Sequence, residues 1–224
     1  MPDKPPQAGT RETLTCAGHL LTIEMFRPVG KDGATTPTII LLHDAEGAGP
    51  NRPVRQEAAS LAGAGFTVLL PHYLLRTGQE RAGFSEIARH FAAWREGLAS
   101  LLEQVRRTAP GGIALIGRSL GGALALAVAL DAGGAAGLSL RSAFLPPEIA
   151  DRPLVFPPVL VQHGARDVLV PPSHARRLAE GVAAAGGRCR IALYPDQAHT
   201  FDARAEAEAT ALTLSFLREH VVRA

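Results

Sequence analysis

The stretch Ile113-Ala114-Leu115-Ile116-Gly117-Arg118-Ser119-Leu120-Gly121-Gly122 changes from an aliphatic run to the start of an alanine-rich helical pattern. The aliphatic run is typical of a strand that is covered on both faces. Glycines two residues before and two residues after Ser119 allow the sharp strand-to-helix turn that presents a nucleophile. The stretch therefore predicts a serine nucleophile at the end of a strand. The alternative is that Ser119 only caps the helix.

The rest of the chain alternates between aliphatic runs and stretches with helical periodicity. Predicted strands are Thr38–Leu42, Phe66–Leu70, Val159–Gln162 and Ile191–Tyr194, after an opening hairpin of Thr13–Thr15 and Leu20–Phe26. Predicted helices are Val54–Ala62, Phe84–Arg107, Leu120–Leu130, Ser173–Ala185 and Ala203–Val222. This alternation predicts an α/β fold, with a mostly parallel central sheet and helices on both faces.

Length and composition fit one domain. The chain has 224 residues, of which 46% are hydrophobic, enough for a substantial core. We expect a single domain over residues 1–224, with a loose tail at residues 1–12 and a loop at Leu145–Pro158. The two cysteines, Cys16 and Cys189, lie far apart, which argues against a disulfide framework.

Charge and hydropathy bear on partners and location. The net charge of +2 comes from 23 basic and 21 acidic residues spread along the chain, so we expect no nucleic-acid partner and no membrane partner. The start, Met1–Thr10, lacks the basic and apolar segments of a secretory signal. The longest apolar stretches are shorter than a membrane span requires. We therefore expect a cytoplasmic protein.

A serine nucleophile needs a base and an acid to activate it. Asp167 lies in the turn after the strand Val159–Gln162, and His199 lies in the loop after the last predicted strand. The order Ser119, Asp167, His199 is the order of serine hydrolases built on such sheets. Asp196 is an alternative acid, although it lies close to His199 in sequence, and His163 is an alternative histidine with an expected structural role.

An oxyanion hole requires two N–H donors near the serine. We expect one from Leu120, at the start of the helix, and one from Ala45, in the loop after the strand Thr38–Leu42. His43, Asp44 and His72 form a weaker alternative as a metal cluster, because their spacing is not that of a metal-ligand motif. We expect neither a metal nor a cofactor.

Five segments carry a family resemblance: Leu41–Gly47, Gly65–Arg76, the Gly-x-Ser-x-Gly turn around Ser119, the His-Gly-x-x-Asp segment ending at Asp167 and the Tyr-Pro-x-x-x-His segment ending at His199. Together they resemble the dienelactone hydrolase family of α/β-hydrolases. The resemblance runs from about Thr38 to the C-terminal helix. It implies the α/β-hydrolase fold and hydrolysis of an ester or lactone.

The resemblance also implies residues that bind substrate. Arg76 would bind a substrate carboxylate, Asp44 would stand in the acidic first loop, and Arg204 would replace a second family arginine. Arg204 could equally be a solvent-facing helix residue. The chain departs from the best-known members in having Ser119 where they have cysteine, Asp44 where they have glutamate and His72 where they have aspartate.

These features predict a serine hydrolase that cleaves a carboxylic ester or lactone of a small molecule through an acyl-enzyme intermediate. The same triad could serve an acyltransferase or a peptidase, because it determines acyl chemistry and leaves the leaving group open. A non-catalytic binding protein of the same fold is the third hypothesis. Fold alone does not decide between them.

Overall fold

A computed structural model describes residues 9–29, 36–109 and 111–222. Its eight strands are β1 (Thr10–Cys16), β2 (His19–Phe26), β3 (Thr38–Leu42), β4 (Thr67–Pro71), β5 (Ile113–Arg118), β6 (Gly137–Arg141), β7 (Val159–Gly164) and β8 (Cys189–Tyr194). Its α-helices are α1 (Pro53–Gly63), α2 (Phe84–Thr108), α3 (Leu120–Ala132), α4 (Pro147–Ala150), α5 (Ser173–Ala184) and α6 (Ala203–His220), and a 3-10 helix spans Tyr73–Thr77.

All described strands belong to one sheet in the order β1-β2-β4-β3-β5-β6-β7-β8. β1 and β2 form an antiparallel hairpin, and β2 pairs antiparallel with β4. The remaining pairs, from β4 through β3 and β5 to β8, are parallel. The predicted α/β-hydrolase fold with a mostly parallel sheet is therefore confirmed. Because parallel strands end at the same edge, the turns after β3, β5 and β7 meet there.

Two apolar layers cover the sheet because side chains alternate between its faces along each strand. In β3, Ile40 and Leu42 belong to the apolar cluster that also contains residues of α2, α3 and α5, whereas Ile39 and Leu41 belong to the cluster that contains residues of α1 and α6. The helix α3 is buried nearly all round and contacts both β5 and α2. Its first residue follows Ser119 directly, so the core of the protein holds the turn that carries this serine.

Apart from shifts of one or two residues at the ends of elements, the main differences from the sequence-based predictions lie in three places. β1 begins at Thr10, so residues 10–12 belong to a strand and not to a tail, while residues 1–8 lie outside the described residues. The loop Leu145–Pro158 contains the short helix α4. The strand β6 was not predicted, because Ser139 and Arg141 interrupt its short aliphatic run. None of the described helices has the length and apolarity needed to span a membrane.

Candidate active site

Ser119 lies in a strained turn between β5 and α3. Its φ of 49° and ψ of −116° are unusual for a residue with a side chain. A Cβ at Gly117 would lie 2.4 Å from the carbonyl oxygen of Gly121, and one at Gly121 would lie 2.3 Å from the carbonyl oxygens of Leu42 and His43. The two glycines therefore let β5, α3 and the end of β3 approach closely around the serine.

The side chains of Ser119, His199 and Asp167 form a continuous hydrogen-bonded chain. His199 Nε2 lies 3.0 Å from Ser119 Oγ, and His199 Nδ1 lies 2.8 Å from Asp167 Oδ2. These three residues come from the turns after β5, β8 and β7, at the common edge of the sheet. In this arrangement Nδ1 carries the proton donated to the carboxylate, and Nε2 is free to accept the serine proton.

Asp167 is buried and fully bonded. Its Oδ1 accepts hydrogen bonds from the backbone N–H groups of Leu169 at 3.0 Å and Val170 at 2.8 Å, which leaves Oδ2 to accept from His199. These bonds fix the carboxylate in the turn after β7. Asp196, the alternative acid, is exposed and pairs with Arg166, so the structure brings Asp167 and not Asp196 to the histidine.

His163 supports this carboxylate from inside the protein. Its ring is fully buried, and Nε2 donates to the carbonyl of Val170 at 2.8 Å and lies 3.2 Å from Asp167 Oδ2. Burial lowers the pKa of His163 below its usual value, so the ring is neutral near pH 7. The structure thus places this histidine beside the acid and His199 beside the serine.

The two expected oxyanion donors lie on the same cavity as Ser119. Leu120 is the first residue of α3, where backbone N–H groups have no intrahelical acceptor, and Ala45 follows β3. The loop of Ala45 is held by its neighbours, because His43 Nδ1 donates to the carbonyl of Asp44 at 2.7 Å and Tyr73 donates to the carbonyl of His43 at 2.6 Å.

The ring of Tyr73 also stacks on the ring of His43, with 4.1 Å between their centroids. Burial lowers the pKa of His43 to about 4, so the imidazole is neutral when it donates to the loop. The sequence did not predict this contact between His43 and Tyr73. The position of Tyr73, two residues after the end of β4, was the feature of the sequence that could have indicated a role for this residue next to the site.

The cavity beside Ser119 is mainly apolar. Its volume is about 510 Å³, and its apolar walls come from the loops after β3 and β6, the start of α2 and the turn after β7, including Phe84, Ile87, Phe144, Leu145, Leu169 and Val170. Among the described residues, no arginine or lysine lines it. Its one carboxylate, Glu46, has its pKa lowered by a hydrogen bond from Arg81 and also pairs with Arg52.

Arg76 does not line this cavity. Its guanidinium donates to the carbonyl of Cys16 at 3.0 Å and to Glu96 at 2.7 Å, and its side chain is only 5% exposed. This position therefore does not support the expectation that Arg76 binds a substrate carboxylate. The 3-10 helix Tyr73–Thr77 turns the side chain towards β1 and α2, where its hydrogen-bonding fork is occupied.

The other two residues expected to bind substrate also lie outside the cavity. The carboxylate of Asp44 accepts the backbone N–H of Glu46 at 2.9 Å, so this residue shapes the loop that carries Ala45. The side chain of Arg204 is 90% exposed and pairs with Glu208 one helical turn away. Neither position supports the expected substrate contact, and Arg204 has the solvent-facing position that the alternative describes. Within the described residues, no group of metal-ligating side chains is arranged to hold a metal ion.

Comparisons with known proteins identify a matching family and several structures of the same fold. A family model described as the dienelactone hydrolase family matches residues 26–219. No curated protein sequence matches the chain. Among solved structures, a Klebsiella pneumoniae protein described as a dienelactone hydrolase is similar at a TM-score of 0.82 and 17% identity, covering 95% of this chain and 98% of the other.

Two further structures are similar over nearly their whole length. A dienelactone hydrolase-like promiscuous phosphotriesterase from metagenomic libraries has a TM-score of 0.79 and 20% identity, covering 96% of this chain and 100% of the other. Esterase 2 of Thermogutta terrifontis, in its apo form, has a TM-score of 0.72 and 20% identity, covering 100% of this chain and 98% of the other. At these identities, the similarity shows the shared fold.

Proposed function

The chain belongs to the dienelactone hydrolase family, and on that premise we propose that it hydrolyses small-molecule carboxylic esters or lactones with Ser119, His199 and Asp167 as its catalytic triad. The observation that carries the proposal is the hydrogen-bonded chain from Asp167 through His199 to Ser119, built on a strained turn. Such strain is maintained where a reactive side chain must be exposed.

In the first half of the reaction, Ser119 Oγ attacks the ester carbonyl while His199 Nε2 takes the serine proton. Asp167 stabilises the resulting imidazolium through its bond to Nδ1 and keeps the ring oriented. The tetrahedral intermediate then collapses to an acyl-enzyme. The proton passes from His199 to the departing alkoxide, and the alcohol leaves.

In the second half, water replaces the alcohol. His199 takes a proton from the water, the hydroxide attacks the acyl carbonyl, and the bond to Ser119 Oγ breaks as His199 returns the proton to it. The products are a carboxylic acid and free enzyme. For a lactone the same steps open the ring, because the alcohol and the acid belong to one molecule.

The backbone N–H groups of Leu120 and Ala45 are proposed to stabilise the negative oxygen in both halves. The start of α3 adds its positive dipole end at the same point. Preorganised donors of this kind each contribute on the order of 10²- to 10³-fold to the rate. The contacts that His43 and Tyr73 make with the loop of Ala45 support such preorganisation.

The cavity favours uncharged, apolar substrates. Its walls are hydrophobic, and the cation that could bind a substrate carboxylate, Arg76, is engaged with Glu96 and a backbone carbonyl. An apolar acyl chain or alcohol group would bury its surface against Phe84 and Leu169 on binding. We therefore propose neutral esters or lactones with a hydrophobic group as the substrate class.

The first test of this function is Ser119→Ala. We expect hydrolysis of p-nitrophenyl butyrate to fall on the order of 10⁴-fold or more, because the members of a triad act as a unit. The melting temperature should stay close to that of the parent. Ser60→Ala, at an exposed position of α1, is the matched control and should leave activity unchanged.

A fluorophosphonate probe should label the parent and the Ser60→Ala protein but not the Ser119→Ala protein. An unlabelled parent would instead favour a non-catalytic binding protein. Turnover of Ser119→Ala within about tenfold of the parent would contradict the assignment of the nucleophile.

A substrate panel separates the remaining acyl chemistries. We expect p-nitrophenyl esters and lactones to be hydrolysed and aminoacyl amides to be poor substrates. Added methanol reports on acyl transfer, because a transferase would divert most of the acyl group from water to the alcohol. Preferred cleavage of the amides would identify a peptidase.

A further inference from the structure

Two arginines and two glutamates meet next to the catalytic turn. Arg118 Nε donates to Glu57 at 2.8 Å, and its two terminal nitrogens donate to the two carboxylate oxygens of Glu206 at 2.9 and 2.7 Å. Arg141 also donates to Glu206 and lies 3.9 Å from Glu57. We call Arg118, Arg141, Glu57 and Glu206 the ion cluster.

Burying the ion cluster carries a large desolvation cost. Glu57 and Arg141 are buried, and removing charged groups from water costs several kcal/mol per ion, which pairing offsets only when the geometry is good. Apolar side chains of similar volume often give equal or greater stability at such positions. A contribution to stability alone therefore does not account for these four residues, and the chain segments that they connect become important.

The ion cluster connects the chain segments that carry Ser119 and His199. Arg118 immediately precedes Ser119, and the carbonyl of Arg141 accepts the backbone N–H of Ser119 at 2.9 Å. Glu206 lies in the first turn of α6, the helix that follows the loop of His199. The two bonds between Arg118 and Glu206 thus join the chain on the nucleophile side directly to the chain on the base side.

A second set of contacts joins the end of β6 to the loop of His199. The guanidinium carbon of Arg141 lies 5.8 Å from the centre of the Phe201 ring. Ser142 Oγ donates to the carbonyl of His199 at 3.0 Å. The backbone of the base is therefore held on the same strand end that accepts the N–H of the nucleophile.

We propose that the ion cluster is a positioning element that sets the separation of Ser119 Oγ and His199 Nε2, an inference that rests on the proposed function. Glu206 and Arg118 are its central positioning residues. A paired planar fork between a guanidinium and a carboxylate fixes direction as well as distance. Misplacement of reacting groups by about 1 Å can cost on the order of 10²-fold in rate.

A second buried ion pair provides the matched control. Glu24 on β2 is buried and forms two hydrogen bonds with Arg55 on α1. Among the described contacts, this pair does not touch Ser119, Asp167 or His199. Removing its carboxylate charge therefore reports the effect of breaking a buried ion pair on stability alone.

The experiment compares Glu206→Gln with Glu24→Gln. Glutamine keeps the size of the side chain but removes its charge and places an amide N–H₂ against a guanidinium. In Glu206→Gln we expect kcat for p-nitrophenyl butyrate to fall by about tenfold or more with KM within about twofold of the parent. In Glu24→Gln we expect a similar or larger loss of melting temperature with kcat within about twofold of the parent.

Equal loss of kcat in the two variants would overturn the inference, as would an unchanged kcat in Glu206→Gln. If Glu206→Gln does not fold, Arg118→Lys replaces it under the same criteria. Lysine keeps the charge but cannot form the planar fork. We expect Arg118→Lys to lower kcat by about as much as Glu206→Gln. A parent-like kcat in Arg118→Lys would overturn the positioning role of the planar pair between Arg118 and Glu206.

A crystal structure of the substituted protein tests the inference without activity. We expect the separation of Ser119 Oγ and His199 Nε2, 3.0 Å in the parent, to exceed about 3.5 Å, the limit of a hydrogen bond. An unchanged separation would overturn the inference. If the parent shows no hydrolysis that depends on Ser119, the proposed function fails, and this distance still decides whether the ion cluster positions the two side chains.

Discussion

The guanidinium of Arg76 joins β1 to α2. Substitution of Arg76 should therefore affect stability more than substrate preference. In Arg76→Ala we expect the free energy of unfolding to fall by about 1 to 3 kcal/mol, because the hydrogen bonds from the charged guanidinium to the carbonyl of Cys16 and to Glu96 are lost. We expect equal changes in kcat/KM for a neutral and an anionic ester, since the side chain does not line the cavity. Urea unfolding and a matched pair of p-nitrophenyl esters, one with a free carboxylate, measure both.

Arg76→Lys is the control, because it keeps the charge but loses the fork. A loss confined to the anionic ester would contradict the structural role. It would mean that Arg76 leaves Glu96 to bind substrate.

Single residues of the site differ in how well the sequence predicts them. The hydrogen-bonded chain of Ser119, His199 and Asp167 could be predicted, because a serine nucleophile demands a base and an acid in separate turns after strands. The direction in which the side chain of Arg76 points could not be predicted, because it depends on the 3-10 helix that follows β4. The hydrogen bonds of Arg118 could not be predicted either, because its partner Glu206 lies far away in sequence.

The turn between β5 and α3 depends on how closely these elements approach the end of β3. In Gly121→Ala, the new methyl group would meet two backbone carbonyl oxygens at 2.3 Å, and backbone cannot move aside cheaply. We expect a loss of about 1 to 3 kcal/mol in unfolding free energy. We also expect a fall in kcat, because Ser119 and the loop of Ala45 lie on the two sides of this contact.

Gly63→Ala is the matched control at the end of α1. A Cβ there meets no heavy atom within 4 Å. We expect unchanged activity and a gain of about 0.4 to 1 kcal/mol, because alanine has less conformational freedom to lose on folding. Parent-like kcat and stability in Gly121→Ala would show that α3 does not need this close approach.

Among the elements, those with unbroken aliphatic runs were predicted best. β3, β5 and β7 follow such runs, since both of their faces are buried under helices. β6 contains Ser139 and Arg141, which looks unlike a central strand. Ser139 forms a hydrogen bond with Thr213, and Arg141 forms one with Glu206, both in α6. A pattern of single residues cannot reveal partners that only the folded protein brings together.

At the scale of the whole molecule, the described residues are organised around one sheet. The strands from Thr10 to Tyr194 form one sheet, and the two apolar layers on its faces draw on helices from the whole length of the chain. Buried ionisable groups are part of the same core. His43, His72 and His163 each have a pKa lowered mainly by burial, which makes the stability of the whole fold depend on pH.

The sign of this dependence follows from the protons bound in each state. In the unfolded chain histidine has its usual pKa of about 6.5, whereas folded His43 has a pKa of about 4. Between these values the unfolded state binds a proton that the folded state does not. The stability that depends on neutral His43 is therefore fully present above about pH 6.5, and it is lost as the pH falls towards 4.

We expect His43 alone to remove about 2 kcal/mol of stability between pH 7 and pH 5, a range that stays above most carboxyl titrations. Urea unfolding at the two pH values measures the difference. In His43→Gln the loss between pH 7 and pH 5 should shrink by about this amount, whatever the substitution costs in absolute stability through the lost stacking on Tyr73. His19→Gln, at an exposed position of β2, is the control for removing a histidine and should leave the pH dependence of the parent. An equal pH dependence in the parent and in His43→Gln would mean that the imidazole of His43 is not held neutral by burial.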